Sequence, residues 1–183
     1  MIFETDRTKA VLLNEEHSDS IREYYVLNRE HLAPWEPKRP ENYHSKETWI
    51  QRVKDFTIEQ ERMVSFRILA VQPNSNEIVG VCYFTNIVHG VFRACNVGYS
   101  ISKQYGGQGL MTEIVGGSID YVFKELDLHR IMANYVPENV RSARVLKKLG
   151  FEEEGYAKSY LFIAGKWRDH ILTAKLNPNH PQE

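Results

Sequence analysis

Between residues 100 and 115 the chain reads SISKQYGGQGLMTEIV, with Gly106, Gly107 and Gly109 crowded into one short turn. An alternating apolar run, ACNVGYSI, leads into it. Behind it Met111, Val115, Ile119, Val122 and Leu126 recur at helical spacing, with Ile114 on the same face. Strand, glycine turn and helix in that order are a strong constraint. The first N–H groups of a helix have no intrahelical partner and sit at the positive end of its dipole, so they point back into the turn. Glycines let an anionic group reach that backbone without meeting a Cβ, and they permit positive φ. Two familiar phosphate loops do not fit. A P-loop needs Gly-Lys-Ser/Thr, whereas Gly109 is followed by Leu110 and Met111; a dinucleotide-binding GxGxxG loop needs glycine at Thr112.

The remaining pattern predicts one domain over 1–183. With 183 residues and 42% hydrophobic content the chain can bury a sizeable core. A formal charge of −1 does not suit bulk nucleic-acid binding, and no direct DNA binding is expected. Cys82 and Cys95 lie in apolar runs without a CxxC pair, so buried thiols are expected and no metal site is implied. The acidic start MIFETDRTKAVLL lacks a signal-peptide core, and no apolar run nears the ~20 residues of a membrane span. A cytoplasmic protein is expected.

AVLL near residue 11 predicts a short strand. Residues 18 to 32 predict a helix, with Ile21, Tyr24, Tyr25, Leu27 and Leu32 on one side. The Pro-rich link LAPWEPKRPEN follows, then a second helix from Ser45 to Gln60. MVSFRILAV and IVGVCYFTNIV flank the turn QPNSNE as a hairpin, ACNVGYSI is a third strand in that series, and HRIMANYV is another. PENVRSARVLKKLGF predicts a helix with Ala143, Leu146 and Leu149 inward and Gly150 at its C-terminal cap. Runs at Tyr156 to Ile163 and Trp167 to Leu176 form a last hairpin around AGK. The order β-α-α-β-β-β-α-β-α-β-β implies an α+β fold with a mostly antiparallel sheet.

Gln104-x-x-Gly107-x-Gly109 resembles the pyrophosphate loop of the GCN5-related N-acetyltransferases (GNAT), whose pattern is Gln/Arg-x-x-Gly-x-Gly/Ala and whose ligand is acetyl-coenzyme A (acetyl-CoA). NVRSARVLKKLGF looks like that superfamily's second signature, an Asn-x-x-Ser helix start running to Leu-Gly-Phe. NREHLAPWEP, NVGYSI, HRIMANYVPEN, GFEEEGYAKSYL and GKWRDHILTA together resemble its RimJ branch, which acetylates the N-terminal alanine of the fifth small-subunit ribosomal protein. The resemblance implies a GNAT fold: a mixed, mostly antiparallel seven-stranded sheet with helices on both faces, its central strands splayed around acetyl-CoA.

By that resemblance, backbone groups of Tyr99, Ser100 and Ile101 pair with the pantetheine arm like an added strand. Gln104 opens the loop, and N–H groups of Gly107, Gln108, Gly109, Leu110 and Met111 hold the pyrophosphate. Asn139 contacts the cofactor arm, caps its helix, or does both. Attack of an amine on the thioester needs an acid for the departing thiolate. Ser142 is the candidate by position, and Tyr156 and Tyr160 are competing donors for which core packing is the plainer role. A backbone N–H near Tyr99 polarises the carbonyl. A related branch, acting on a large-subunit ribosomal protein, carries a glutamate where Leu161 stands here, so that base is missing. An α-amine of pKa ~8 is already roughly a tenth neutral at pH 7, and deprotonating it costs about 1.4 kcal/mol. Glu36, in Pro-Trp-Glu-Pro, is the alternative carboxylate for the acceptor, or a solvated loop acid. Trp35 walls the acceptor pocket or anchors the core. Asp169 is expected to make a structural hydrogen bond near the hairpin, and His170 to be a plain strand histidine. The expected partner is a ribosomal-protein N-terminus, with ribosome-assembly particles a further candidate. A small amine acceptor and a non-catalytic assembly role stay open at this level.

Overall fold

In the computed structural model, which describes residues 1–180, the alternating runs pair into one eight-stranded sheet. Its strands are β1 (Phe3–Glu4), β2 (Lys9–Leu12), β3 (Phe66–Val71), β4 (Ile78–Val88), β5 (Ala94–Ile101), β6 (Arg130–Tyr135), β7 (Glu152–Ile163) and β8 (Lys166–Leu176). They lie side by side in the order β1-β2-β3-β4-β5-β6-β8-β7. Neighbours are antiparallel except β5 and β6, which run parallel. The strand beyond the predicted seven is β1, paired only through Phe3↔Ala10 and Glu4↔Lys9. Two residues are too few to show a period of two, so its pattern is invisible in sequence.

The helices are α1 (Ser18–Leu27), α2 (Arg29–Leu32), α3 (Lys46–Glu61), α4 (Leu110–Leu126) and α5 (Val140–Lys148). The predicted single helix over 18–32 is in fact two, broken at Asn28 (φ −103°, ψ 7°). Asn28 is buried, donating from Nδ2 to the Tyr24 carbonyl at 2.8 Å and accepting at Oδ1 from the Lys103 N–H at 2.8 Å. The residue that interrupts the helix therefore ties it to the start of the glycine turn. Ser45 caps α3 by accepting from the Thr48 N–H at 3.2 Å.

Alternation along the central strands splits the core in two. Cys82 and Phe84 pack with Ile114, Ile119 and Val122 of α4 and Leu146 of α5 on one face. Leu69 and Val81 pack with Ile21 and Tyr24 of α1 and Trp49 and Val53 of α3 on the other. Both cysteines are free and fully buried, and burial pushes each thiol up to about 12, so neither forms thiolate near neutrality. Among the described residues no helix is long and apolar enough to cross a membrane.

Candidate active site

The sheet parts between β5 and β6. Parallel pairing of β5 with β6 lasts only from Ala94↔Arg130 to Asn96↔Met132, yet β5 continues to Ile101 and β6 to Tyr135. On its other side β5 stays fully paired with β4, through Cys82↔Tyr99, Val81↔Ser100 and Gly80↔Ile101. From Val97 onward β5 thus offers an open strand edge in the middle of a sheet, where an extended amide-bearing chain can add on.

That edge runs into the glycine turn. Gly107 and Gly109 both take φ +79°, a region that costs an L-residue roughly 1–2 kcal/mol. A Cβ on Gly107 would meet nothing within 4 Å, so the backbone there faces open space. The first backbone bonds of α4 come from Thr112 and Glu113, both to the Gly109 carbonyl. Among the described residues, no carbonyl accepts from the N–H groups of Gly107, Gln108, Gly109, Leu110 or Met111. These consecutive donors at a helix N-terminus are suited to a multiply charged anion.

The turn is braced from outside by Arg7, Glu113 and Glu77, for which the sequence carries no signal. Arg7, in the β1–β2 turn, donates from Nη2 to the Gln108 carbonyl at 3.1 Å and from Nε to Glu113 Oε1 at 3.1 Å. Pairing with Arg7 also offsets a carboxylate that would otherwise repel an anion at the start of α4. Gln104 donates from Nε2 to Glu77 Oε1 at 2.7 Å, while Gln108 Nε2 bonds the Gln104 carbonyl at 3.0 Å. The Gln104 side chain thus fixes the turn to the β3–β4 connection.

On the α4–α5 face of the opening, the Tyr99 hydroxyl lies 2.8 Å from Ser142 Oγ and 3.3 Å from the Ser142 carbonyl. Burial drives the Tyr99 hydroxyl well above the ordinary tyrosine range, and the bond to Ser142 offsets only part of this. Asn139 accepts from the Ser142 N–H at 3.1 Å, the capping role. The hydroxyl pair joins residues far apart in sequence, so only Ser142 is legible there. On the opposite face, Ser100 Oγ lies 2.8 Å from the Tyr24 hydroxyl of α1. His31, in α2, is held below the ordinary histidine value by burial and then by the positive charges of Arg141 and Lys103.

Other predicted residues fall toward the β7–β8 hairpin. Glu36 follows the 3-10 turn Ala33–Trp35, and its carbonyl accepts from the Ala164 N–H of the hairpin turn at 2.8 Å. Its Oε2 accepts from Arg39 Nη2 at 3.0 Å and Nε at 3.2 Å, so Glu36 is ion-paired and not simply solvated. Glu36, Arg39, Tyr25, Tyr43 and Ala164 line a cavity of about 500 Å³. Trp35 is 39% exposed, which removes the core-anchor alternative, and it does not line that cavity. Tyr160 is exposed where core packing was expected; it accepts a long bond from Asn134 Nδ2 at 3.4 Å and meets the His170 ring edge-on. Tyr156 is exposed too, because β7 is the sheet's edge strand, and its hydroxyl donates to Asp169. Asp169 also accepts from the Ser159 N–H at 2.8 Å, the structural bond expected of it. Leu161 is exposed, and His170 is buried with Nδ1 at the Arg168 carbonyl.

A sheet parted beside a turn of unpaired N–H groups, with a hydroxyl pair on one face of the opening, suits an extended amide-bearing ligand that ends in an anionic group. The chain belongs to the acetyltransferase (GNAT) domain family, whose model matches residues 11–152. It is 42% identical to the ribosomal protein uS5-alanine N-acetyltransferase of Escherichia coli K12, over 96% of this chain and 90% of that one. It is similar to the ribosomal-protein-S5-alanine acetyltransferase of Vibrio fischeri, with a TM-score of 0.93 and 41% identity over 98% of both chains. A RimJ from Mycobacterium smegmatis, solved in complex with a CoA disulfide, superposes with a TM-score of 0.88 and 28% identity, over 96% of this chain and 85% of that one.

Proposed function

We propose that this protein acetylates the N-terminal alanine amine of ribosomal protein uS5, using acetyl-CoA, in the cytoplasm. The observation that carries this reading is the likeness, over nearly the whole of both chains, to an enzyme named for that acceptor. It favours a protein N-terminus over a small amine, and catalysis over a purely structural assembly role.

The residues present suit acetyl-CoA. The open edge at Tyr99, Ser100 and Ile101 takes the pantetheine amides, and the free N–H groups from Gly107 to Met111 take the pyrophosphate. When bound, the cosubstrate supplies an acetyl thioester. Tyr99 orients Ser142 Oγ, which delivers a proton to the departing sulfur; Asn139 holds the first turn of α5 in place. Glu36 faces the incoming amine, its Oε2 steadied by Arg39 and its Oε1 left to receive a proton through solvent. Because an α-amine near pKa ~8 needs only about 1.4 kcal/mol of deprotonation at pH 7, a distant carboxylate suffices where Leu161 replaces a closer one.

The test is mass spectrometry of an alanine-starting peptide copied from the uS5 N-terminus, after incubation with enzyme and acetyl-CoA. One acetyl group on the α-amine, with none on a peptide blocked there, is expected. Faster turnover of polyamines or aminoglycosides than of the peptide would refute the acceptor.

A further inference from the structure

Tyr83 sits on β4, an interior strand, yet it is 37% exposed while its neighbours Cys82 and Phe84 are fully buried. Its cross-strand partner on β5 is Gly98. A Cβ on residue 98 would lie 2.2 Å from Tyr83 Cε2, 2.3 Å from Cζ and 2.5 Å from the hydroxyl oxygen. The outer edge of the ring and its hydroxyl therefore lie across β5, in space that only glycine leaves vacant. Gly98 is just past Asn96, the last β5 residue paired with β6, so the hydroxyl arrives where the strands part.

Strand alternation decides which side of the opening this is. Val97, Tyr99 and Ile101 face α4 and α5, and Tyr99 reaches Ser142 there. Gly98 and Ser100 face the other way, toward α1, where Ser100 meets Tyr24. Tyr83 thus stands on the opposite side of β5 from the proposed acid. Glu36 lies on this second side: it lines a cavity with Tyr25, Leu32 and Tyr43, which pack on the α1–α3 face, and its negative charge acts on Tyr24, Tyr25 and Tyr83.

We propose that Tyr83, seated over Gly98, receives and orients the acceptor's primary amine at the parted strands, with Glu36 behind it as the carboxylate that draws the amine in. This rests on the reading of the site as an acetyl-CoA-dependent N-acetyltransferase and adds to it a substrate-touching residue. The amine nitrogen forms a bond to the acetyl carbon as the carbon–sulfur bond breaks. The proton lost from nitrogen goes to Glu36 through solvent, the thiolate takes one from Ser142, and solvent returns a proton to Ser142 as Glu36 releases its own. Tyr83 accepts a hydrogen bond from the amine and keeps its own proton, as a phenol of pKa ~10 does near neutrality. A small side chain at residue 98 would tilt the ring out of this position. Nothing in the alternating pattern of β4 marks Tyr83, because an exposed aromatic on a strand also fits an ordinary half-solvated face.

Tyr83→Phe removes the hydroxyl and keeps the ring. Wild type and variant are compared for kcat and KM on the alanine peptide, acetyl-CoA affinity by calorimetry, and melting temperature. A loss of about 10- to 100-fold in kcat/KM for the peptide, the range for one hydrogen bond to a charged group, is expected with acetyl-CoA affinity within about twofold. Gly98→Ala, which displaces the ring, is expected to produce the same split. Unchanged kcat/KM in Tyr83→Phe, with active wild type, overturns the inference and leaves the proposed function standing. Parallel losses in cofactor affinity and turnover overturn it too, since Tyr83 would then only support the cofactor strand. If wild type binds acetyl-CoA but leaves the peptide unmodified, the acceptor reading falls and this inference falls with it.

Discussion

Replacing Tyr99 with phenylalanine deletes one hydroxyl, 2.8 Å from Ser142 Oγ, and leaves the ring packed against the α4–α5 core. A neutral hydrogen bond of this kind contributes about 0.5–1.5 kcal/mol net. If that much is gained only as Ser142 gives up its proton in the transition state, its loss slows kcat by about 2- to 13-fold. Ser142→Ala removes the proton donor itself, for which a loss on the order of 10²–10⁴-fold is expected. Because Tyr99 acts through Ser142, the two effects must not add: in the Ser142→Ala background, Tyr99→Phe should change kcat by less than about twofold. The assay is steady-state acetylation at saturating alanine peptide for all four members of the cycle, with acetyl-CoA affinity measured by calorimetry. Full additivity would mean that the hydroxyls work independently, and the relay reasoning would be wrong. A Ser142→Ala variant with normal kcat and weakened cofactor binding would dismiss the serine as acid.

Gly109→Ala forces an L-residue to φ +79° at the start of α4, so it should cost roughly 1–2 kcal/mol of stability and weaken acetyl-CoA binding, both measurable by thermal melting and calorimetry. Ile119, fully buried on α4, leaves a cavity when cut to alanine; chemical denaturation should show a loss of about 2–5 kcal/mol, with kcat of the folded protein unchanged. Burial holds His170 below the ordinary histidine value of 6.5, and His31 and His44 shift the same way. Below pH 6.5 the unfolded chain binds protons that the folded chain does not, so stability should fall with acidification, by up to about 1.4 kcal/mol per pH unit for each such histidine. His170→Gln should flatten that slope in denaturation curves taken from pH 7 to pH 5; an unaltered slope would show that His170 is not part of it.

The parts of the site that could be read early are those written in adjacent residues. Gly107 and Gly109 stand out because positive φ is a local property, and the donors they expose follow from helix geometry alone. Asn139 and Ser142 are legible together because a cap acts three residues ahead. Helix α4 declares itself through an unbroken apolar face. The break at Asn28 is hidden, since its cause is a hydrogen bond to Lys103 from across the fold. Trp35 shows the same limit: a tryptophan between prolines gives no sign of whether it turns inward, and it stays exposed.

By itself, then, the sequence determined the order of elements from β2 onward apart from the break at Asn28, the glycine turn at a helix N-terminus and the motif serine, because short-range sterics and periodicity act within a few residues. Tertiary structure alone decided that Arg7 braces the turn through Glu113, 106 residues away, and that Tyr99 reaches Ser142, 43 residues on. It also decided that Tyr83 lies over Gly98 where β5 and β6 part. Such contacts depend on strand register and on which face each strand presents, and a period of two is the same for every partner a strand could take.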